Sequence, residues 1–538
     1  MGETLSAGTS EIVPAALKRA FTDGREIAVL DVREQGEFAD GHLFLAVPAP
    51  YSRFEAELLR LVPRKGTRIV LCDEGTSGRA QRARQRAEAL GYQNVLVLKG
   101  GTSRWRDAGF QLFQGVNVPS KTFGEIVERA CHTPSISASE LEAMRKRSEP
   151  VVILDGRPFE EHRKMNIPGS ICLPNGDLAY RIESILEDKS RPIVVHCAGR
   201  TRSIIGAQTL RNLGIENPVF ALENGTQGWM LSGLALEHGS TRRAENDPDK
   251  AQKAALRARA REMARRWNVP TVSASLVASW MRDDEHTTYV LDVRSPEEYS
   301  RGHASHVDNA PGGQLVQATD QWLAVRGARV VLVDDVEIRA IVIASWLRQM
   351  GWDAYALGDG ELAWNSLPVS VQRPRFAVPP QWRITSIALH DMLGREDVRV
   401  VDIRKSSAFR REHIAGAAWS IRPQLLQLLH GTQAKSVILV AEDEACARLA
   451  AGDLVDAGHQ VHVLLEGPGA WAAAGLATES TSDTPRDEAC IDFVFFTHGR
   501  HNGDLAAARQ YLAWEIGLVD QIDEEELSLF TPMVLENQ

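Results

Sequence analysis

Short apolar runs recur along the chain, each followed by a segment with helical spacing. Val29-Leu-Asp-Val-Arg33, Ile153-Leu-Asp-Gly-Arg157, Val290-Leu-Asp-Val-Arg294 and Val400-Val-Asp-Ile-Arg404 all close on Asp-x-Arg. A second apolar run follows in every copy, Arg68 to Cys72, Pro192 to His196, Arg329 to Val333 and Ser436 to Val440. A third run leads through a glycine-containing turn to Trp105, Trp229, Trp364 and Trp471. Apolar runs without polar alternation, set between helical segments, predict strands buried on both faces of a parallel sheet. Repetition at about 110 residues predicts one unit used four times. The expected class is therefore α/β: four tandem domains, each a parallel sheet flanked by helices, plus a mainly helical C-terminal tail. The expected domains span 10–115, 136–240, 270–370 and 376–485, with a helical linker at 241–268 and the tail at 486–538.

Chemistry enters at one place in this pattern. The strand ending at His196-Cys197 runs into a tight loop, Ala198, Gly199, Arg200, Thr201 and Arg202, before a helix beginning near Ser203. A cysteine there meets backbone N–H groups, the positive end of a helix dipole and two guanidiniums. Each favours a thiolate, which is the nucleophilic form. Cys197 is thus the expected catalytic residue, with Ala198, Gly199, Arg200, Thr201, Arg202 and Ser203 forming the substrate-binding loop. Cys197 lies 42 positions after Asp155, and the same count from Asp31 and Asp292 reaches Asp73 and Asp334. In the fourth copy the corresponding residue is Ala441. Asp155 and Arg157 recur in the copies that lack cysteine, so they and His196 are expected to support the loop. Arg202 has counterparts near Arg79, Arg339 and Arg448, whereas Arg200 has none, which makes Arg200 the expected selector of the donor.

This order of motifs, Asp-x-Arg, then Gly41-His42 or Gly302-His303, then the cysteine loop and the tryptophan, resembles the rhodanese family of sulfurtransferases. The resemblance is most specific in the second copy and weakest in the fourth, and it implies one active domain and three inactive ones. Phosphatases with a comparable loop have Cys-x5-Arg, whereas Cys197 to Arg202 is Cys-x4-Arg. The smaller ring suits a sulfur atom carried on the cysteine better than a tetrahedral phosphate. The resemblance therefore implies sulfur transfer through a Cys197 persulfide, from a small anionic donor such as thiosulfate to cyanide or a thiol. A mercaptopyruvate enzyme of the family would have a less cationic loop. A non-enzymatic persulfide carrier or scaffold, and an arsenate reductase or phosphatase-like enzyme, stand as alternatives.

Composition narrows the remaining choices. Of 538 residues, 43% are apolar and 25% charged, which is the balance of a globular protein. A net charge of −10 argues against a general binder of nucleic acid or acidic membranes. No stretch approaches the roughly 18 apolar residues of a membrane span, and Met1 to Glu11 lacks the character of a secretory signal. Six cysteines without Cys-x-x-Cys spacing fit a reducing cytoplasm, and neither a disulfide framework nor a zinc site. No metal and no cofactor is expected: Cys131-His132 read as structural, and His498 and His501 as capping or hydrogen-bonding residues. The basic run Lys250 to Trp267 has no interleaved aromatics, so it reads as an exposed, ion-paired helix joining two halves of two domains each, rather than as a surface for tRNA. In the tail, Ala507, Tyr511, Leu512, Trp514 and Ile516 are expected to dock on a domain or on a second subunit, a homodimer being one outcome.

Overall fold

In the second copy the apolar runs become five short strands: β1 (Ser135–Ile136), β2 (Val152–Asp155), β3 (Ile171–Cys172), β4 (Ile193–His196) and β5 (Val219–Leu222). They form one parallel sheet in the order β1-β5-β4-β2-β3. Ile193, Val194 and Val195 of β4 are wholly buried, as a central strand with helices on both faces requires. The register pairs Asp155 with His196, and so sets the start of Asp-x-Arg beside the residue preceding Cys197. The computed structural model describes residues 10–533 other than 187, 245, 306, 365–366, 368–373, 394–397, 432–435 and 495–503, with the backbone alone at 361 and 362. His498 and His501 lie outside the described residues.

The first and third copies repeat this strand order. Glu11–Ile12, Val95–Leu98, Ile69–Cys72, Ile27–Asp31 and Val47–Pro48 are neighbours in the first, and Thr271–Val272, Asp353–Leu357, Arg329–Val333, Thr288–Asp292 and Asp308–Asn309 in the third. The fourth sheet has Ala418–Trp419, Val398–Asp402, Ser436–Val440 and Gln460–Leu464 in that order, and only an isolated bridge from Arg383 to Val463 where the others have an outer strand. Trp105, Trp229 and Trp471 are buried beneath the sheets, and Trp364 is half-buried against Arg294.

The helices that bear on the cysteine loop are α1 (Val118–Cys131), α2 (Phe159–Lys164), α3 (Asn175–Arg181), α4 (Thr201–Asn212), α5 (Gly225–Leu231), α6 (Lys250–Arg266), α7 (Ile338–Gln349) and α8 (Leu505–Ile516). Helix α4 follows the loop and buries every residue except Arg211, because α1, α3 and the sheet surround it.

The chain divides into two compact units, and the division corrects the expectation of consecutive halves. One unit comprises Met1–Leu17, Val29–Gln114 and Gln372–Phe495; it unites the first and fourth copies. The other comprises Lys18–Ala28, Gly115–Val371 and Phe496–Gln538; it unites the second and third copies with a short piece of the first and most of the tail. The physical reason lies partly in α6. This helix is an internal brace: Leu256, Ala260, Met263 and Ala264 are buried, and the helix lies against α3 and α7. Its cations do form ion pairs, Arg259 with Glu183 at 2.5 Å and Arg261 with Glu337 at 2.7 Å. A basic helix that reads as exposed thus carries a narrow apolar stripe into the second unit.

Candidate active site

The loop is built on a scaffold that all four copies share. Arg157 donates to Asp155 at 2.7 Å and to the carbonyl of Met165 at 2.5 Å. Arg33, Arg294 and Arg404 make the same two contacts, to Asp31 and Gly41, Asp292 and Gly302, and Asp402 and Glu412. Three copies also stack a histidine on an aromatic ring four residues earlier: His42 on Phe38, His303 on Tyr299 and His413 on Phe409, with centroids 3.7–3.8 Å apart. The cysteine-bearing copy departs from this. His162 stands where the others have the aromatic ring, is fully buried, and places Nδ1 at 2.9 Å from Asp155 Oδ2 and Nε2 at 3.2 Å from Ser240 Oγ.

Beneath Cys197 this makes a buried charged centre. Burial opposes the ionised form of Asp155, but the fields of His196 and Arg157 and the hydrogen bonds of Arg157 and His162 outweigh it and hold the carboxyl well below the usual range. His196 is itself pushed down to about 4 by burial, so at neutral pH the standing counter-charge is Arg157. His196 Nδ1 lies 3.5 Å from the carbonyl of Cys197.

Cys197 is 2% exposed at the head of the loop, and Ser203 donates its hydroxyl to the sulfur at 3.1 Å. The first turn of α5 clamps the loop from the other side. Thr226 N–H donates to the carbonyl of Cys197 at 2.8 Å, and Gln227 N–H to that of Ala198 at 3.1 Å. Gly225 permits this approach with φ of +53°, and a Cβ on it would come within 2.3 Å of the Cys197 carbonyl oxygen.

The two arginines of the loop are both engaged with carboxylates. Arg202 meets Glu161 of α2 through two bonds of 2.8 and 2.9 Å, and its carbonyl accepts from Asn175 Nδ2 at 2.8 Å. The same pairing occurs in copies without cysteine, Arg79 with Glu37 at 2.6 Å and Arg339 with Glu298 at 3.1 Å, so it belongs to the scaffold. Arg200, expected to select the donor, instead points its guanidinium at α1. It donates to Glu125 at 2.7 and 2.9 Å, to Glu128, and to Asn224 at 3.4 Å. Burial pushes the Glu125 carboxyl up, against the pull of Arg200. Sequence spacing does not disclose Glu125 as the partner, but Glu37, Glu161 and Glu298, each six positions after the Asp, were a legible signal for the other pair.

Two of the remaining loops hold an acid in place of the thiol, and the fourth copy has Ala441 there. Asp73 accepts N–H bonds from Gly75 at 2.8 Å and Ala80 at 3.0 Å, and a hydroxyl bond from Ser77 at 3.2 Å. Asp334 accepts from the Arg339 N–H at 2.8 Å. Arg339 is fully buried, and it also meets Asp335, Glu298 and Asp177 of α3. Of the other thiols near these loops, Cys72 and Cys172 are core side chains and Cys446 is half-buried against the core: burial pushes Cys72 and Cys172 well above the ordinary thiol range and Cys446 up to about 12. Among the described residues no cluster of three or more His, Cys, Asp or Glu is arranged to hold a metal ion, and no helix is long and apolar enough to cross a membrane.

Four parallel-sheet units, one with a cysteine loop at the carboxyl end of its central strand, define a class, and sequence comparison agrees. The family model for the rhodanese-like domain matches residues 13–108, 137–232, 273–367 and 386–474. The chain belongs to the rhodanese family. Along 98% of its length it is similar to the solved thiosulfate sulfurtransferase from Pseudomonas aeruginosa, with 41% identity, a TM-score of 0.88 and all of that chain covered. Among curated proteins it is 27% identical over 228 residues to an HTH-type transcriptional regulator of Mycobacterium tuberculosis, which is 42% of this chain and 91% of the regulator. It is also 31% identical over 102 residues to a putative sulfur carrier protein of Bacillus subtilis, which is 19% of this chain and 54% of the carrier.

Proposed function

We propose that the chain is a sulfurtransferase of the thiosulfate type, with Cys197 as the atom that carries the sulfur. The observation that supports this most strongly is Asp73. At the position of Cys197 in a sister loop, a side-chain anion sits on loop N–H groups. The cradle is thus shaped for negative charge borne by its own first residue, as a cysteine thiolate or persulfide would bear it. The likeness to the Pseudomonas aeruginosa thiosulfate sulfurtransferase supports the same reading.

The Cys197 thiolate attacks the outer sulfur of thiosulfate; a new S–S bond forms, the old one breaks, and sulfite leaves with its electron pair. Cyanide or a thiolate then takes the outer sulfur and returns Cys197 to the thiolate. Ser203 donates to the sulfur in the resting state and to the inner sulfur of the persulfide. Arg200 is engaged by Glu125 and Glu128 and Arg202 by Glu161, which leaves the loop N–H groups and the α4 terminus for the sulfonate.

Incubation with thiosulfate followed by intact and peptide mass spectrometry is the direct test: a gain of one sulfur, about 32 Da, on the Cys197 peptide is expected. Cys197→Ser removes thiocyanate formation, and Cys72→Ser leaves it intact. Full activity in Cys197→Ser would falsify the assignment. A second reading, that of a persulfide carrier, draws on the near-complete burial of Cys197 and the likeness to the putative sulfur carrier. It predicts a stable persulfide with negligible turnover on cyanide and rapid transfer to a protein thiol.

A further inference from the structure

Helix α8 of the tail lies against the back of the Cys197 loop. Its buried residues are Ala508, Tyr511, Leu512 and Glu515, a helical stripe at i, i+3, i+4 and i+7 that is apolar except at its last position. The side chain of Glu515 is 1% exposed. Its Oε1 accepts from the Thr201 hydroxyl at 2.7 Å, lies 3.5 Å from the Thr201 N–H, and meets Lys121 Nζ of α1 at 3.1 Å. A Cβ on Gly199 would come within 3.0 Å of Glu515 Oε2 and 3.4 Å of Tyr511 Cε1, so both α8 side chains press on the loop two residues from Cys197. Lys121 also lies over the Tyr511 ring, 5.3 Å from its centroid.

Apolar packing alone does not call for this carboxylate. Burying a carboxylate costs several kcal/mol unless its partners are well placed, and a leucine would seat the stripe more cheaply. Its carboxylate instead meets the N–H and hydroxyl of Thr201, the first residue of α4, and Lys121, on the helix that also binds Arg200 through Glu125 and Glu128.

We infer that Glu515 is a positioning residue of the Cys197 site: through Thr201 it fixes the start of α4, and with it the loop that runs from Cys197 to that helix. The tail helix is then a part of the active site. Two effects follow with opposite signs. Glu515 anchors the cradle, which favours a negative sulfur, and its own charge opposes a negative sulfur. Lys121 offsets that charge, and the Arg200 group with Glu125 and Glu128, and Arg202 with Glu161, complete the charges around the loop, above His196 and Asp155.

The inference rests on Cys197 being the reactive group, not on the identity of the donor, so alkylation tests it separately from turnover. The full-length protein is treated with iodoacetamide across pH 5–10, and the rate at the Cys197 peptide is followed by mass spectrometry alongside thiocyanate turnover. Glu515→Gln keeps an acceptor for Thr201 and removes the charge, and is expected to move the midpoint of the Cys197 profile down by about half a pH unit or more. Thr201→Val removes the anchor without changing charge, and is expected to move it up, with kcat/KM for thiocyanate roughly tenfold lower. A merely structural Glu515 would lower the melting temperature of both variants and leave both midpoints in place, and that result would overturn the inference. If Glu515→Gln does not fold, Thr201→Val decides alone: an unmoved midpoint rejects the role. Loss of thiocyanate formation in the parent protein with intact, shiftable alkylation would instead reject the sulfurtransferase reading and leave the inference standing.

Discussion

Ser203 Oγ and Cys197 Sγ, 3.1 Å apart, make the shortest argument for how this site handles charge on sulfur. A hydroxyl donor is worth about 1 kcal/mol for a neutral bond and more when the acceptor is charged. Ser203→Ala should therefore lower kcat/KM for thiocyanate about three- to tenfold and move the Cys197 alkylation profile to higher pH, while leaving the melting temperature nearly unchanged. Another residue makes a pH prediction far from the thiol. Glu34 is 5% exposed and accepts from the Ser52 N–H and hydroxyl at 3.1 and 2.8 Å, yet burial pushes its carboxyl up to about 7. A group with a raised folded value contributes stability that is complete below its unfolded value, roughly 4.3, and is lost as pH rises through 7. Gln has no proton to lose there. Glu34→Gln is expected to gain on the parent in melting temperature between pH 6 and 8.5, and equal melting curves across that range would contradict the assignment. Legibility at this scale stopped at partners. The position of Cys197 is plain in the sequence because a strand, a loop and a helix are local. The partners of Arg200, Glu125 and Glu128, lie 75 and 72 positions upstream, and nothing in the spacing selects them among many acids.

At the scale of elements, the four loops show one framework with exchangeable contents. The Asp-x-Arg pair and the carbonyl eight residues beyond the arginine are common to all, and the first residue of the loop varies from cysteine to aspartate to alanine. Asp73 stabilises its own loop by taking the N–H groups that would otherwise face inward without a partner. Asp73→Ala is expected to cost about 1–3 kcal/mol, measured as a lower urea midpoint of the unit that holds it. Asp73→Asn, which keeps an acceptor oxygen, should lose less. The strands and their order were readable because runs such as Ile153-Leu and Val194-Val are apolar throughout and the spacing repeats. The docked face of α8 was only partly so. Tyr511 and Leu512 are buried as their character demands, but Ile516 is 43% exposed, Ala507 and Trp514 are half-buried, and Ala508 and Glu515 take the inner positions. An acid with a lysine and a hydroxyl waiting for it reads in sequence as a solvent-facing residue.

For the whole molecule, the pairing of copies is the feature that the order of domains concealed. Arg422 of the fourth copy is buried on Glu55 of the first, at 2.6 and 2.8 Å, and also meets Asp453; Arg339 of the third holds Asp177 of the second. Each such contact buries a cation that its own domain satisfies only in part. A fragment of residues 1–268 therefore contains one copy from each unit and neither pair. It is expected to bind hydrophobic dyes and lack a cooperative melt, whereas 115–371 should remain monodisperse and melt cooperatively. The reverse outcome would show that the copies fold independently of their partners. Thr201 and Glu515 are separated by 314 positions. On a ribosome, the residue that bears the sulfur emerges long before the helix that closes its loop from behind. Stalled chains carrying Cys197 but ending short of residue 505 should thus present an unfinished thiol site, and reactivity would be acquired only once that helix has emerged.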